Sequence, residues 1–319
     1  MYEGYITDVK CIKVGHAQSE KGMTGCTVIL CENGAIGGVD VRGSAPGTRE
    51  TDLFKPDKMV DKVHAVVLSG GSAFGLETAS GVMRYLEEKG IGFDVGVTKV
   101  PIVASAVIFD LTIGDYKIRP DINMGYEACL NASSAENRQG NIGCGLGATV
   151  GKILGPQNAM KSGLGSATVK VGELIVSAIV AVNSFGDIYD LSGKQIAGVY
   201  DYEKEKLLNT VEIMKNVNKN IGFTLANTTI GVVATNGVLT KAEANKVAQM
   251  AHNGLARTIN PIHTMVDGDT IFALATGEIK ADINLIGTLA AEVVAKAVLN
   301  AIYYAESTHG LKAFKDIQI

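Results

Sequence analysis

Short runs of β-branched and other aliphatic residues recur along the chain and predict strands. The clearest runs are Thr27–Leu30, His64–Leu68, Ile102–Asp110, Leu174–Val182, Thr229–Ala234 and Thr270–Ala275. Between them, apolar residues recur every three or four positions, which is the spacing of amphipathic helices. This spacing predicts helices at Ser72–Lys89, Asp201–Met214, Thr240–Ile259 and Asn284–Glu306. Because strands and helices alternate, and long helices near both ends can each cover a sheet, the pattern predicts a layered α/β sandwich.

The predicted helix at Thr240–Ile259 has the clearest start signal. Thr240 and Glu243 stand three positions apart, as in a capping box, where each side chain binds the backbone N–H of the other residue. The apolar positions that follow at helical spacing are Ala244, Val247, Ala248, Ala251 and Leu255. We therefore expect an amphipathic helix here, with one buried face.

The chain has 319 residues and reads as a single large domain. It contains no Pro/Ser-rich linker, low-complexity block or charge run at which to divide it. Hydrophobic residues make up 46% of the sequence, enough for an extensive core. The net charge of −4 argues against a nucleic-acid partner, because a phosphate-binding face usually requires a basic excess.

The cysteines and the apolar runs predict a cytoplasmic protein without a membrane span. Five cysteines, an odd number, are irregularly spaced, and the polar start at Met1 does not resemble a signal peptide. We therefore expect free thiols. No apolar run reaches the length of about 18 residues that a membrane span requires, and the longest clear run, Leu174–Val182, reads as a buried strand.

The glycine cluster at Gly143–Lys152 does not fit a phosphate-binding loop. Such a loop requires glycine at position 146 and Ser or Thr at position 153. The chain has Leu146 and Ile153 there, so the cluster gives no support for a nucleotide cofactor.

A second glycine cluster, Ser69–Gly75, does not fit a nucleophile elbow. That motif requires a glycine two residues after the serine, where the chain has Phe74. We instead expect Ser72 to be the N-cap of the helix that follows.

Five histidines are present, but none of them stand four residues apart on a predicted helix or beside a cysteine pair. We therefore expect no metal site and no cofactor. The same scarcity weakens any serine–histidine catalytic scheme.

The Asn227–Thr228 dipeptide stands at the head of the predicted strand Thr229–Ala234. Two interpretations are open: a turn that enters a buried strand, or the junction of a self-cleaving precursor. Cleavage there would make Thr228 a new N-terminus that carries both a hydroxyl nucleophile and an α-amine. With an ordinary pKa of about 7.7–8.0, that amine can act as the base near neutral pH.

Six collinear motifs resemble the self-processing hydrolases that include the L-aminopeptidase/D-esterases, the β-peptidyl aminopeptidases and the nylon-oligomer (aminohexanoate-oligomer) hydrolases. They are Thr24–Val28, Gly37–Glu50, Leu68–Leu76, Gly147–Lys152, Asn227–Ile230 and His263–Thr270. The resemblance covers nearly the whole chain, and the Asn–Thr junction is that of the nylon-oligomer hydrolases.

The resemblance implies a four-layer αββα sandwich, like that of N-terminal-nucleophile hydrolases but differently connected. It also implies autocleavage between Asn227 and Thr228 into a larger chain, 1–227, and a smaller chain, 228–319. The cleaved pair is expected to assemble into a homo-oligomer, most simply a tetramer of pairs. The expected substrates are small peptides or oligoamides.

The resemblance assigns Thr228, Lys152, Asn183, Asp267 and Asp269 to the catalytic site. Thr228 would form an acyl-enzyme, and the Asn183 amide would donate to the oxyanion. Lys152 would tune the pKa of the nucleophile, while the two aspartates would orient Thr228 and neutralise Lys152. Without the resemblance, the same residues read as a strand-ending Asn, an exposed lysine and an Asp-Gly-Asp turn.

Two positions depart from the pattern of the relatives, the second of them from that of the aminopeptidase branch. Phe109 replaces a tyrosine whose hydroxyl lies near the nucleophile, so we expect it to line the acyl pocket as part of the substrate-binding site. Val107 replaces a glutamate that pairs with the substrate ammonium. Because an unpaired ammonium is costly to desolvate, this loss favours cleavage within an oligomer or of a neutral amide, and it places the chain on the nylon-oligomer-hydrolase side.

Other functions remain open on the sequence alone. An L-aminopeptidase/D-esterase or a β-peptidyl aminopeptidase would share the site, and an ornithine-acetyltransferase-like enzyme would also expose a threonine. An acyltransferase would pass acetyl groups to an amine acceptor, whereas a hydrolase would release the acid into water. A non-catalytic binding protein would remain a single intact chain.

Overall fold

The computed structural model describes residues 1–216 and 227–317. In chain order its strands are β1 (Lys13–Ser19), β2 (Thr24–Val41), β3 (Thr48–Arg49), β4 (Lys62–Ser69), β5 (Phe93–Asp94), β6 (Lys99–Val100), β7 (Val103–Val107), β8 (Thr149–Val150), β9 (Met160–Lys161), β10 (Leu164–Val171), β11 (Leu174–Asn183), β12 (Asp187–Tyr189), β13 (Gln195–Ala197), β14 (Tyr200–Asp201), β15 (Lys206–Leu207), β16 (Thr228–Gly237), β17 (Ile259–Asn260) and β18 (Thr270–Ile279). Its α-helices are α1 (Thr78–Glu88), α2 (Ile122–Leu130), α3 (Thr210–Asn216), α4 (Lys241–Thr258) and α5 (Ile283–Tyr303). All six predicted strands are present.

The largest sheet follows the order β10-β11-β16-β18-β2-β4-β7-β3, with β1 also paired to β2. The long strand β2 joins the two halves of this sheet: β10, β11, β16 and β18 on one side, and β1, β4, β7 and β3 on the other. Residues 36–41 of β2 pair with β18 and residues 24–30 pair with β1, whereas β4 pairs with residues 26–30 and again with residues 35 and 36. The register between β2 and β4 shifts between Leu30 and Ala35, which marks an irregularity between these two parts of β2.

Three buried apolar clusters show how the layers are stacked. One cluster joins β4 and β7 to β11 and β16, so the two halves of the sheet pack face to face. A second joins β10 and β11 to helices α4 and α5, and a third joins β2, β4 and β7 to helices α1 and α2. The order helix, sheet, sheet, helix confirms the four-layer αββα sandwich.

Strand β11 shows why these strands read as continuous apolar runs. Val180 and Val182 pack in the cluster with α4 and α5, whereas Ile179 and Ala181 pack in the cluster between the two half-sheets. Because both faces are covered, every residue of this stretch is apolar and no alternating polar face remains.

The predicted helix at Asp201–Met214 is wrong for most of its length. The chain forms the hairpin β14–β15 first, and helix α3 begins only at Thr210. The Asp201 carboxylate accepts hydrogen bonds from the backbone N–H groups of Glu203 (3.1 Å) and Lys204 (3.0 Å). This local side-chain bonding offers the backbone an alternative to the helix.

The expected N-cap role of Ser72 is also wrong. Ser72 has a φ of 54° and begins a 3₁₀ helix, Ser72–Glu77, that precedes α1. The N-cap of α1 is Glu77, and its side chain makes no capping bond. In contrast, the capping box of Thr240 and Glu243 at the start of α4 is confirmed.

Helix α5 is long and apolar enough to cross a membrane by length and composition alone, with a mean hydropathy of 1.7. The helix does not form one uninterrupted apolar run in the sequence, because Glu292 and Lys296 lie within it. Most of the helix is buried against α4, β10 and β11, which is the position of a core helix.

Candidate active site

Thr228 lies where three chain segments meet. It is the first residue of β16 and pairs in register with Asn183, the last residue of the neighbouring antiparallel strand β11. On the other side, Asn227 forms a parallel bridge with Asp267, just before β18 begins. Strand pairing therefore brings together residues that are far apart in sequence, including the candidates Asn183, Thr228 and Asp267.

The Asn227–Thr228 peptide bond is buried and closely surrounded by hydrogen-bond donors. The Thr228 hydroxyl donates to the Asn227 carbonyl oxygen at 2.5 Å, and the backbone N–H of Gly268 donates to the same oxygen at 2.8 Å. Asn227 and Thr228 are 1% and 3% exposed. The Thr228 hydroxyl is thus next to a carbonyl that a backbone donor already polarises.

Glycine at position 268 permits this approach. A Cβ atom there would lie 2.6 Å from the carbonyl oxygen of Ala45 and 2.9 Å from the Thr228 hydroxyl. Any side chain would therefore force the turn away from the Asn227 carbonyl.

Asp269 holds Thr229, the residue that follows Thr228. One carboxylate oxygen accepts from the Thr229 N–H at 2.7 Å. The other accepts from both the backbone N–H (3.1 Å) and the imidazole Nδ1 (2.9 Å) of His263. With the peptide bond intact, this carboxylate thus fixes the start of β16.

Asp267 is bound within its own turn. Its carboxylate accepts from the backbone N–H (2.9 Å) and the hydroxyl (2.5 Å) of Thr264. Burial, together with the nearby charge of Asp269, raises the pKa of Asp267 to about 6. The carboxylate therefore changes charge close to neutral pH.

Lys152 is buried, so the interpretation as an exposed lysine is wrong. Its ammonium donates to the side-chain oxygen of Asn183 at 2.7 Å and to the backbone oxygen of Asn183 at 2.9 Å. Burial lowers the pKa of Lys152 to about 7, although the charges of Asp267 and Asp110 oppose this shift. Lys152 thus titrates near neutral pH beside the strand end that faces Thr228.

The Asn183 amide is held from two sides. Its side-chain oxygen also accepts from the Thr149 N–H at 3.1 Å, and its Nδ2 group donates to the Phe109 carbonyl at 3.1 Å. Phe109 therefore contributes a backbone acceptor, while its side chain is partly exposed. In the uncleaved chain one N–H of the Asn183 amide is bound to this carbonyl.

Sequence reasoning missed three participants: Gly268, His263 and Thr264. The first acts through a backbone N–H, which no residue type reveals. The other two belong to the quoted motif His263–Thr270, so their signal was present but carried no spacing that pointed to Asp267 or Asp269. Among residues 1–216 and 227–317, no group of three or more His, Cys, Asp or Glu side chains is arranged to hold a metal ion.

The chain is similar in sequence to known peptidases and amide hydrolases. A sequence profile of peptidase family S58 matches residues 4–315. An uncharacterized aminopeptidase of Mycobacterium leprae is 40% identical, over 97% of this chain and 92% of that protein. A 6-aminohexanoate-oligomer endohydrolase of Kocuria sp. is 32% identical, over 92% of this chain and 84% of that protein.

The fold also matches a solved structure. The L-aminopeptidase D-Ala-esterase/amidase of Ochrobactrum anthropi, described as a variant of the Ntn-hydrolase fold, superimposes with a TM-score of 0.70. The match covers 97% of this chain and 89% of that one at 18% identity, so it supports the architecture alone.

Proposed function

The chain belongs to peptidase family S58 and hydrolyses amide bonds, and we propose that it does so after cutting its own backbone before Thr228. Cleavage would give the chains 1–227 and 228–319, which remain together in one sandwich. The new N-terminal Thr228 then serves as nucleophile, and its own α-amine as base.

The observation that supports self-cleavage is the environment of the Asn227 carbonyl. It accepts from the Thr228 hydroxyl and from the Gly268 N–H, the two groups that an acyl shift requires. Oxyanion stabilisation by preorganised donors is usually the largest single catalytic contribution.

The chemical steps of self-cleavage follow from this geometry. The Thr228 oxygen adds to the Asn227 carbonyl carbon and gives up its proton, while negative charge develops on the oxygen beside Gly268. The C–N bond then breaks, and the proton passes to the nitrogen that becomes the Thr228 amine. Water cleaves the resulting ester, so that Asn227 ends in a carboxylate and the Thr228 hydroxyl is restored.

Turnover repeats these steps on a separate substrate molecule. Thr228 takes the acyl group of the substrate, the amine product leaves, and water releases the acid. We assign Asn183 as oxyanion donor through the second N–H of its amide, since the first N–H is bound to the Phe109 carbonyl. Lys152, Asp267 and Asp269 set the charge and orientation around the new N-terminus.

For the substrate, we propose peptides or aminohexanoate oligomers cut at internal bonds. Val107 is buried and apolar, and it cannot pair with a substrate ammonium as a carboxylate would. The endohydrolase relative acts on such oligomers by its name, while the Mycobacterium relative is named an aminopeptidase, so exo-cleavage is the competing outcome. We further propose a cytoplasmic homo-oligomer of cleaved pairs.

Denaturing gel electrophoresis combined with a substrate panel tests the proposal. The panel holds free-amine peptides, β-peptides, D-amino-acid amides and aminohexanoate oligomers, each with and without an N-terminal acetyl block. Two bands and faster turnover of blocked oligomers support the proposal. A single band in an active preparation contradicts self-cleavage, and a strict need for a free amine contradicts the internal-bond preference.

A further inference from the structure

We propose that Asp110 is a positioning residue for the active site: its carboxylate fixes the two backbone segments that hold the Asn183 amide. The inference rests on the proposed function, since it concerns the same site. Asp110 lies three residues after the end of β7 and directly after Phe109, and it is 2% exposed.

The carboxylate of Asp110 has a complete set of partners from two other segments. One oxygen accepts from the Gly71 N–H at 2.7 Å, and the other accepts from the Thr24 hydroxyl at 2.6 Å. These donors come from the glycine cluster after β4 and from the first residue of β2. Asp110 thereby ties the segment after β7 to the end of the neighbouring strand β4 and to the start of β2, the next strand in the sheet.

Both glycine clusters of the sequence close around this residue. A Cβ atom at Gly70 would overlap the Asp110 carboxylate and the Thr24 hydroxyl, and one at Gly147 would lie 2.8 Å from the Asp110 Cβ. The clusters that fit neither a phosphate loop nor a nucleophile elbow thus have a shared physical purpose. They leave the space in which a buried carboxylate is enclosed by backbone.

From Asp110 two short paths reach Asn183. On one side, the Phe109 carbonyl accepts from the Asn183 amide. On the other, the turn containing Gly147 leads directly to Thr149, whose N–H donates to the Asn183 side-chain oxygen. Displacement of Asp110 would shift both groups and hence the amide that faces Thr228.

Lys161 also holds this turn. Its ammonium is fully buried and donates to the carbonyls of Gly145 (3.1 Å) and Ala148 (3.0 Å), and also to that of Ser162. The turn is therefore clamped between a buried cation and a buried carboxylate. Such doubly held turns place backbone donors with little freedom, which a preorganised site requires.

The charges around Asp110 give the proposal a specific readout. Lys152, Lys161 and Cys144 are the titratable groups that feel its charge, and Asp267 is the other carboxylate that acts on Lys152. The Asp110 carboxylate raises the pKa of Lys152 against the effect of burial. Removing its charge must therefore lower the pKa of Lys152.

The test uses Asp110→Asn, which keeps the shape but removes the charge and one acceptor. Full-length precursor is made by cell-free translation and transferred to buffers between pH 5 and 9, and the appearance of the Thr228 N-terminus is followed by mass spectrometry. Matched variants are Thr24→Val, which removes one hydrogen bond but keeps the charge, and Asp187→Asn, a second buried carboxylate whose partners lie outside the Asn183 contacts.

For Asp110→Asn we expect processing at least about ten-fold slower, the size of the effect of a weakened oxyanion donor. We also expect the midpoint of the curve of processing rate against pH, which in the parent should follow the Lys152 pKa of about 7, to move to lower pH. Thr24→Val should slow processing less than Asp110→Asn does and should leave the pH midpoint of processing unchanged. Asp187→Asn should keep both the processing rate and the midpoint.

Processing of Asp110→Asn within two-fold of the parent, with the parental midpoint, would overturn the proposal. A slower rate with an unmoved midpoint, and a Tm lowered as far as that of Asp187→Asn, would also overturn it, since that pattern is purely structural. If Asp110→Asn does not fold, folded Thr24→Val that processes at the parental rate would overturn the proposal equally. An intact parent chain would instead count against self-cleavage itself.

Discussion

Asn183 and Thr228 face each other as a register pair at the shared end of β11 and β16. Each is held through a neighbouring segment: Asn183 by Thr149 and Phe109, and the start of β16 by Asp269 through the Thr229 N–H. Two strands of the sandwich thus bring the proposed nucleophile and the proposed amide donor together. The active site is a consequence of strand register, and small changes in the supporting turns are expected to alter it.

Gly268→Ala should slow self-cleavage by about 10²–10³-fold, the usual effect of losing one oxyanion donor. The added Cβ would meet the Ala45 oxygen at 2.6 Å and push the Gly268 N–H away from the Asn227 carbonyl. Time-resolved mass spectrometry of the precursor measures this rate. Gly277→Ala is the control for a strained substitution without a clash, because Gly277 has a φ of 81° while no atom lies within 4 Å of an added Cβ. Equal rates for the two variants would contradict the role of Gly268.

Lys152→Met should separate activity from stability. Processing or turnover is expected to fall by about 10²–10⁴-fold, the range for loss of a proton-transfer or charge-tuning group. The Tm should remain the same or rise, because the buried ammonium of Lys152 has a pKa lowered to about 7 and is costly to keep charged. Thermal unfolding at pH 7 together with the processing rate checks both parts. A large fall in Tm with unchanged kinetics would show a structural lysine instead.

His263→Ala should impair both folding stability and processing, whereas His263→Asn should retain most of each. The imidazole Nδ1 donates to the buried Asp269 carboxylate at 2.9 Å, and an asparagine amide can replace this donor. Loss of a hydrogen bond to a charged group costs about 1.5–3 kcal/mol. Chemical denaturation and the processing rate measure the difference. Identical behaviour of the two variants would mean that the imidazole contact does not position Asp269.

Stability should depend on pH through the buried titratable groups. Burial raises the pKa of Asp110, Asp187 and Asp267 to about 6. Each therefore contributes stability that is fully present below its unfolded pKa of about 3.9 and is lost as the pH rises through 6. Burial also lowers the pKa of Lys152 and Lys161 to about 7, so their contribution is present above about 10.4 and is lost as the pH falls through 7. Together, these five groups therefore contribute least to the free energy of unfolding between pH 6 and 7.

Thermal unfolding between pH 4 and 10 tests this dependence. In Asp187→Asn the fall in stability between pH 4 and 6 should be smaller by on the order of 3 kcal/mol, which is the worth of a shift of about two pKa units. Asp187 is suited to this test because its partners, Thr210 and Val199, lie outside the Asn183 contacts. An unchanged pH slope in that variant would show that the burial of Asp187 does not govern its ionisation.

Much of the architecture could be predicted from the sequence because its strands are apolar on both faces and its long helices are strongly periodic. Helix α4 begins within one residue of the predicted start because a capping box is a local signal. The predicted helix at Asp201–Met214 is wrong because the Asp201 side chain binds its own turn, which helical spacing does not reveal. In this segment, hydrogen bonds from the backbone to the Asp201 side chain outweigh the helical spacing of the apolar residues.

The site was only partly predictable for a related reason. Side chains that carry chemistry, such as Thr228 and Lys152, can be recognised by residue type within a motif. The Gly268 N–H and the Phe109 carbonyl are backbone groups, so their positions depend on tertiary packing alone. The purpose of the glycine clusters became visible only when the structure placed Asp110 between them.

The most direct measurement is the intact mass of active, purified protein beside the Thr228→Ala variant under denaturing conditions. The account predicts two polypeptides for the parent, of 227 residues and of the remaining 319 − 227 = 92 residues, the latter beginning at Thr228. It predicts one inactive full-length chain for the variant. Full amidase activity from an uncut chain of 319 residues, or activity that survives Thr228→Ala, would contradict it.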